Sequence, residues 1–391
     1  MSLEQALAMK DLGLTWHEIH EHFPAYGNYH PEGVNEWPLG DHAPEEMLDA
    51  LGRPPGPTVV SVGMIRRTIT NLHQAGCAAM PYIQVSGEGD DQLLDPAFED
   101  SAATDLYGQR YSIVWPGTHT MNSDPSLSFG RDVARQIVGM VARYPEMDGV
   151  FLDQACYNFV DTAHHDGLTA IDNRPCYMTG FNYYPHLEHL SSLLHPRKVI
   201  IGNGPYCVGI LKYIDGCMAE GEDWLCDHLQ YYGLAKPIFF LKYKTDDASI
   251  ESMFLRCLKY AAGYSSYAPA AASKDLYALY RPLLERLFRR RWVFDPDPLN
   301  LPEGFGGGLY RGREGSLLAN IVGDEPRLGG RPARTQGVCI RTADTAGVRR
   351  VTLQQSGGKA QEVPFTIDDD AVQFDIPSQT VAAVAELQVE P

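Results

Sequence analysis

Two apolar runs in this chain end in a carboxylate. Gly149-Val150-Phe151-Leu152-Asp153-Gln154 places an acid directly after apolar residues, and Gly216–Gly221 closes on Ala219-Glu220-Gly221 with Glu222 and Asp223 just behind. The run between them, Val199–Gly204, ends in the amide of Asn203. Counted as neighbouring strands of a parallel sheet, Asp153 falls on the fourth, Asn203 on the fifth and Glu220 on the sixth. Residues two strands apart have Cα atoms roughly 10 Å apart, and inward-leaning side chains narrow that to the ~5–9 Å of paired catalytic carboxylates. Such a pair can open an acetal: one carboxylate attacks or stabilises the anomeric carbon, and one carboxylic acid protonates the leaving oxygen. The apolar strand before Asp153 suits a carboxylate held ionised by neighbouring donors. Glu222 beside Glu220 favours one retained proton. A strand-end carboxylate also serves as a helix N-cap or loop acceptor, and Glu222 or Asp223 can stand in for Glu220.

The elements that would position these groups alternate. Short apolar runs at Leu14–His20, Cys77–Val85, Gly149–Gln154, Val199–Gly204, Gly216–Gly221, Pro237–Tyr243 and Ser265–Ala270 are separated by helical patterns. The helical patterns cover Asp132–Tyr144, Gly180–Leu194, Ile250–Tyr264 and Lys274–Val293. This succession predicts an α/β fold, a (β/α)8 TIM barrel over residues 1–297. Its first strand is either an irregular segment or lies upstream of the helix at Leu3–Gly13. Residues Asn28–Pro57, with their Gly and Pro, read as a long loop over the strand ends. All five Trp, all thirteen His and seven of the eight Cys precede residue 297, and Phe294–Pro302 reads as a linker. Short alternating runs from Gly308 to Gln388 then predict a small C-terminal antiparallel β-sandwich over residues 298–391.

At this point the chain resembles a family. Trp115-Pro116-Gly117, then Met121-Asn122-Ser123-Asp124-Pro125, a helix, and Tyr144-Pro145-Glu146-Met147-Asp148-Gly149-Val150-Phe151-Leu152-Asp153 together resemble the region around strand four of (β/α)8 glycoside hydrolases. The nearest likeness is to the α-glycosidase superfamily of α-amylases, α-galactosidases and endo-α-N-acetylgalactosaminidases, and it covers residues 64–391 in layout. The resemblance implies that Asp153 is the nucleophile of a retaining mechanism. It gives Glu220 the proton-donor role by position, because the fifth strand ends in Asn203. It also implies that the C-terminal sandwich is an accessory domain. Phe151 stands where amylases carry an Arg two residues before the nucleophile, which argues against amylase-type activity.

Other residues fit a sugar pocket. Aromatic rings stack on pyranose faces, while amides and carboxylates bind hydroxyls. Tyr82, Trp115, Tyr157, Trp224 and Tyr243 supply rings near strand ends. Gln84, Asn122, Asp124, Gln154, Asn203, Glu222, Lys242, His17 and His20 supply polar groups. The expected function is a glycoside hydrolase acting on an oligosaccharide or glycoside, with no cofactor. One alternative is a metal-dependent hydrolase of amidohydrolase type, since His20-x-His22 matches that first-strand pair. The later strands do not complete its ligand set, so no metal is expected. A further alternative is a non-catalytic carbohydrate-binding barrel. His164-His165 reads as a solvated pair in a polar loop.

Composition narrows the partners. Hydrophobic residues make up 44% and charged residues 21%, which excludes disordered and coiled-coil classes. The net charge of −18 disfavours nucleic acid and anionic membrane surfaces. No apolar stretch reaches the ~18 residues of a membrane span. The N-terminus, Met1-Ser2-Leu3-Glu4-Gln5, carries no signal-peptide pattern, and none of the eight Cys forms a C-x-x-C pair. Together these predict a cytoplasmic protein, with a fragment of a secreted one as the alternative. No sequence pattern assigns an oligomeric state.

Overall fold

The computed structural model describes residues 1–20, 22–39, 59–89, 96–112, 118–155, 157–204, 207–220, 230–241, 246–265, 273–288, 290–323 and 336–390. The chain forms two compact units, Met1–Glu220 and Gly221–Pro391. The boundary expected at 297–298 falls inside the second unit.

In the first unit, helices and parallel strands alternate. They are α1 (Leu3–Asp11), β1 (Trp16–Ile19), α2 (Val62–Gln74), β2 (Ala78–Gln84), α3 (Ser128–Arg143), β3 (Gly149–Asp153), α4 (Tyr183–Leu194), β4 (Val199–Asn203) and β5 (Gly216–Glu220). The strands lie in the order β1-β2-β3-β4-β5, every pair parallel. Strands covered on both faces must be apolar throughout, and Val150, Phe151, Leu152, Ile200, Cys217, Met218 and Ala219 are all buried. At the opposite, N-terminal ends, the Asp148 carboxylate accepts from the Ala79 amide at 2.8 Å and contacts His73 Nε2 at 2.9 Å, tying β2 and α2 to the start of β3.

The connection from β3 to α4 carries a small antiparallel sheet of Val160–Asp161, Thr169–Ile171 and Arg174–Met178. Buried Asp161 anchors it by accepting from the amides of Thr104 (3.2 Å) and Ala163 (2.9 Å) and from Asn122 Nδ2 (3.1 Å). It also holds His164 Nδ1 at 2.6 Å, and this pairing raises the imidazole pKa. His164 is therefore a bonded structural residue, not the solvated one its polar neighbours suggested.

The second unit begins with β6 (Ile238–Leu241), α5 (Asp247–Lys259), β7 (Gly263–Ser265) and α6 (Lys274–Arg286), with β6 and β7 parallel. The helical pattern expected through Tyr264 stops at Lys259, because Ala261 adopts a positive φ of 49° and Tyr264 enters β7. The strand expected at Ser265–Ala270 is the earlier Gly263–Ser265; residues 266–270 lie outside the described residues. The pattern expected through Val293 stops at Arg286, and Arg291–Trp292 pairs as a strand instead.

There follow β8 (Phe305–Arg311), β9 (Leu317–Gly323), β10 (Gln336–Arg341), β11 (Val348–Gln355), β12 (Phe365–Asp368), β13 (Ala371–Ile376) and β14 (Ala382–Val389). One antiparallel sheet contains β8-β9-β14-β11, the other β10-β13-β12. Leu309, Ile321, Val351 and Ala385 of the first sheet and Val338, Ile340, Val372 and Phe374 of the second share one apolar core. Leu299–Asn300, expected within a linker, pairs with β10 and belongs to the second sheet.

Candidate active site

Register places the polar residues of the first unit on one face of its sheet. Phe151 pairs with Tyr82 and with Ile201, Gln84 pairs with Asp153, and Asn203 pairs with Met218. Alternation along each strand then turns Gln84, Asp153, Asn203 and Glu220 to the same side, each the last residue of its strand. Trp16 meets the Phe151 ring at 5.9 Å, so Trp16, Glu18 and His20 share that side.

Asn203 joins the two carboxylates. Its Nδ2 lies 2.7 Å from Asp153 Oδ1 and 2.5 Å from Glu220 Oε2, one hydrogen serving each. Both acids are half-buried. Asp153 Oδ1 also accepts from the Gln154 amide at 2.9 Å, and Oδ2 accepts from the Tyr82 hydroxyl at 2.7 Å. Gln154 adopts a φ of 54°, and its side-chain Oε1 accepts from Ser86 Oγ.

The electrostatics follow from this crowding. Burial, then the Glu220 charge, push the Asp153 carboxyl up to about 6, with Glu18 adding to the rise; the Tyr82 and Asn203 donors oppose it. The Tyr82 hydroxyl is raised well above its ordinary range by burial and by Asp153. Tyr82 therefore stays a neutral donor.

Of the residues the sequence singled out, the structure brings together Asp153, Glu220, Asn203, Tyr82, Gln84 and Gln154. His20 joins them at the edge: its ring lies 4.1 Å from that of Tyr82, and its Nδ1 is 2.8 Å from Glu18 Oε1. His17 does not join them. Alternation places it on the opposite face of β1, where burial lowers its imidazole to about 4. Asn122 and Asp124 stand apart as loop braces. The Asn122 side chain bonds Asp161, Asn182 and the Asp124 amide, and Asp124 accepts from Tyr177 and Ser126. Trp115, Glu222, Trp224, Lys242 and Tyr243 lie outside the described residues.

Glu18, Tyr26 and Ser86 were missed; the Tyr26 hydroxyl meets that of Tyr82 and is raised by burial and by the Asp153 charge. Glu18 was legible as the residue alternating with Trp16 and His20. Tyr26 and Ser86 follow strand ends and carry no motif. His20 and His22 do not converge as a metal pair, because buried His22 sets its Nε2 on the Tyr82 carbonyl at 2.8 Å. Among the described residues no group of three or more His, Cys, Asp or Glu is arranged to hold a metal ion.

No family model matches the sequence, and no curated protein does. Solved structures do resemble the fold. A cycloisomaltooligosaccharide glucanotransferase of Paenibacillus sp., complexed with cycloisomaltoheptaose, aligns over 98% of this chain and 82% of its own with a TM-score of 0.68 and 10% identity. An α-amylase of Geobacillus thermoleovorans, complexed with acarbose, aligns over 100% and 92% with a TM-score of 0.57 and 11% identity. An α-galactosidase of Geobacillus stearothermophilus, in complex with 1-deoxygalactonojirimycin, aligns over 99% and 53% with a TM-score of 0.57 and 10% identity. The chain shares the fold of α-amylase- and α-galactosidase-type glycoside hydrolases.

Proposed function

We propose that this chain is a retaining glycoside hydrolase acting on α-linked sugars, with its parallel strands closed into a (β/α)8 barrel. The observation that carries this reading is the single Asn203 amide shared by Asp153 and Glu220. Contacts of 2.7 and 2.5 Å to one nitrogen bring one oxygen of each acid to within about 5 Å of the other, which supports a retaining pair, whose carboxyl groups lie about 5–5.5 Å apart. The fold shared with known glycosidases supports the same assignment.

In this mechanism the Asp153 carboxylate attacks the anomeric carbon while Glu220 gives a proton to the departing glycosidic oxygen. A glycosyl ester forms on Asp153. Glu220, now a carboxylate, takes a proton from water, which attacks the same carbon and releases Asp153. Tyr82, Asn203 and the Gln154 amide aim the nucleophile and support its charge before attack. The experiment is a panel of chromogenic α- and β-glycosides followed by NMR of the first-released anomer. Cleavage with retained configuration, abolished by Asp153→Asn, supports the reading; full activity in that variant, or an inverted first product, overturns it.

A further inference from the structure

We infer that Tyr26 is a further positioning residue of the reaction, acting on Asp153 through the Tyr82 hydroxyl, an inference that rests on the glycosidase reading. β1 is shorter than β2, and their last pair is Ile19 with Pro81. Beyond it, backbone carbonyls of β2 find partners in the segment that follows β1. The Tyr82 carbonyl contacts His22 Nε2 at 2.8 Å, and the Gln84 carbonyl accepts from the Tyr29 hydroxyl at 3.0 Å. The same segment is fixed to α3 by one buried amide. Gln136 Oε1 accepts from the Tyr29 and His30 amides at 2.6 and 3.1 Å, and its Nε2 donates to the Gly27 carbonyl and to Asp132 Oδ2, both at 2.6 Å. Tyr26 stands immediately before this clamp, only 4% exposed, with the Phe23 ring 5.5 Å from its own. Phe23 in turn stacks on Tyr82 at 5.8 Å, with the ring planes 10° apart.

The Tyr26 and Tyr82 hydroxyls are hydrogen-bonded. Which one donates is set by what Tyr82 already does. A phenol has one hydrogen, and that of Tyr82 goes to Asp153 Oδ2 at 2.7 Å. The Tyr82 oxygen therefore faces Tyr26 as an acceptor, and the hydrogen bonds run from Tyr26 to Tyr82 to Asp153. Both phenols stay protonated, because burial and the Asp153 charge raise them above their ordinary range. A hydroxyl that accepts a hydrogen bond becomes a stronger donor, by on the order of 10–30% per bond in a buried series. A stronger donor at Oδ2 favours the ionised carboxylate, the form that attacks. Tyr26 can thus influence the nucleophile without touching substrate.

The test titrates the Asp153 carboxyl by ¹³C NMR in wild type, Tyr26→Phe, Tyr82→Phe and the double variant. The same four proteins are assayed for kcat/KM against pH on the best-cleaved chromogenic glycoside. Glu220 and Glu18 are the charged groups facing Asp153, and His20, in contact with Glu18, is the titratable ring beside Tyr82; all three are common to the four proteins. Tyr26→Phe keeps the ring beside Phe23. It should raise both the carboxyl titration and the acidic kinetic limb by a few tenths of a unit, less than the roughly one unit of Tyr82→Phe. In the double variant it should add nothing to Tyr82→Phe, because its effect passes through the missing hydroxyl. An unmoved or lowered titration in Tyr26→Phe overturns the inference, as does an equal rise in the Tyr82→Phe background. A titration that moves without the kinetic limb, or kinetics that change with neither pKa moved, removes Tyr26 from the reaction and leaves it a packing residue. Wild-type protein that cleaves no glycoside overturns the glycosidase reading and the part of Tyr26 in it, whereas the carboxyl titration still reports on the hydrogen bonds themselves.

Discussion

The Tyr82 hydroxyl donates to Asp153 Oδ2 at 2.7 Å, from a side chain only 2% exposed. That hydrogen bond stabilises the ionised carboxylate and opposes the burial that pushes Asp153 up to about 6. Attack requires the ionised form, so kcat/KM should fall as pH drops through about 6. In Tyr82→Phe the donor is gone and the acidic limb should move up by about one unit, the worth of a hydrogen bond to a charged group. A pH–rate profile measures this, and an unmoved limb would show that Tyr82 does not tune Asp153.

Glu18 acts in the opposite sense. Its charge adds to the rise in Asp153, so Glu18→Gln should move the same limb down by a few tenths of a unit. The two variants thus displace one kinetic pKa in opposite directions. A common direction would contradict the assignment of that limb to Asp153.

Asn203 is the bridge. Asn203→Ala removes the amide that donates to both acids, and should cost about 10²–10³-fold in kcat/KM while raising the acidic limb. Steady-state kinetics across pH 4 to 8 would check both effects.

Asp153→Asn should separate stability from activity. In the fold Asp153 has its pKa raised from 3.8 to about 6, so the folded state binds this proton more tightly than the unfolded chain. The resulting stabilisation is complete below pH 3.8 and is lost as pH rises through about 6, beyond which the buried charge opposes folding. Asparagine carries no such charge. The variant should therefore gain about 1–3 kcal/mol over wild type at pH 7 relative to pH 4, while turnover falls at least about 10³-fold. Denaturant melts at the two pH values measure the difference.

The parallel succession was legible because its strands are buried on both faces and read as unbroken apolar runs such as Val150–Leu152. The strand-end residues Asp153, Asn203 and Glu220 were legible for the same reason, each being the first polar residue after such a run. Their shared face was not written in any single strand. It follows from register, Gln84 opposite Asp153 and Asn203 opposite Met218, which is a property of pairing. Asn122 and Asp124 lie in loops, where amides and acids brace neighbouring side chains and backbone as readily as they bind sugar. Glu18 stands beside the His20-x-His22 pair, whose spacing carries the more familiar pattern. Its position between Trp16 and His20 on one side of β1 carried the better signal. The strand at Leu299–Asn300 was hidden by flanking prolines, which sit outside its two-residue pairing with β10.

The central claim concerns which acid attacks and which one donates. Chemical rescue by azide measures it directly, using an activated aryl glycoside that the wild type cleaves and reading the anomeric configuration of the glycosyl azide by NMR. With Asp153→Gly, azide replaces the missing nucleophile and the product should have the configuration opposite to the substrate. With Glu220→Ala, azide attacks the glycosyl ester and the product should keep the substrate's configuration. The reverse pairing of products, or no azide product from either variant, would contradict the account.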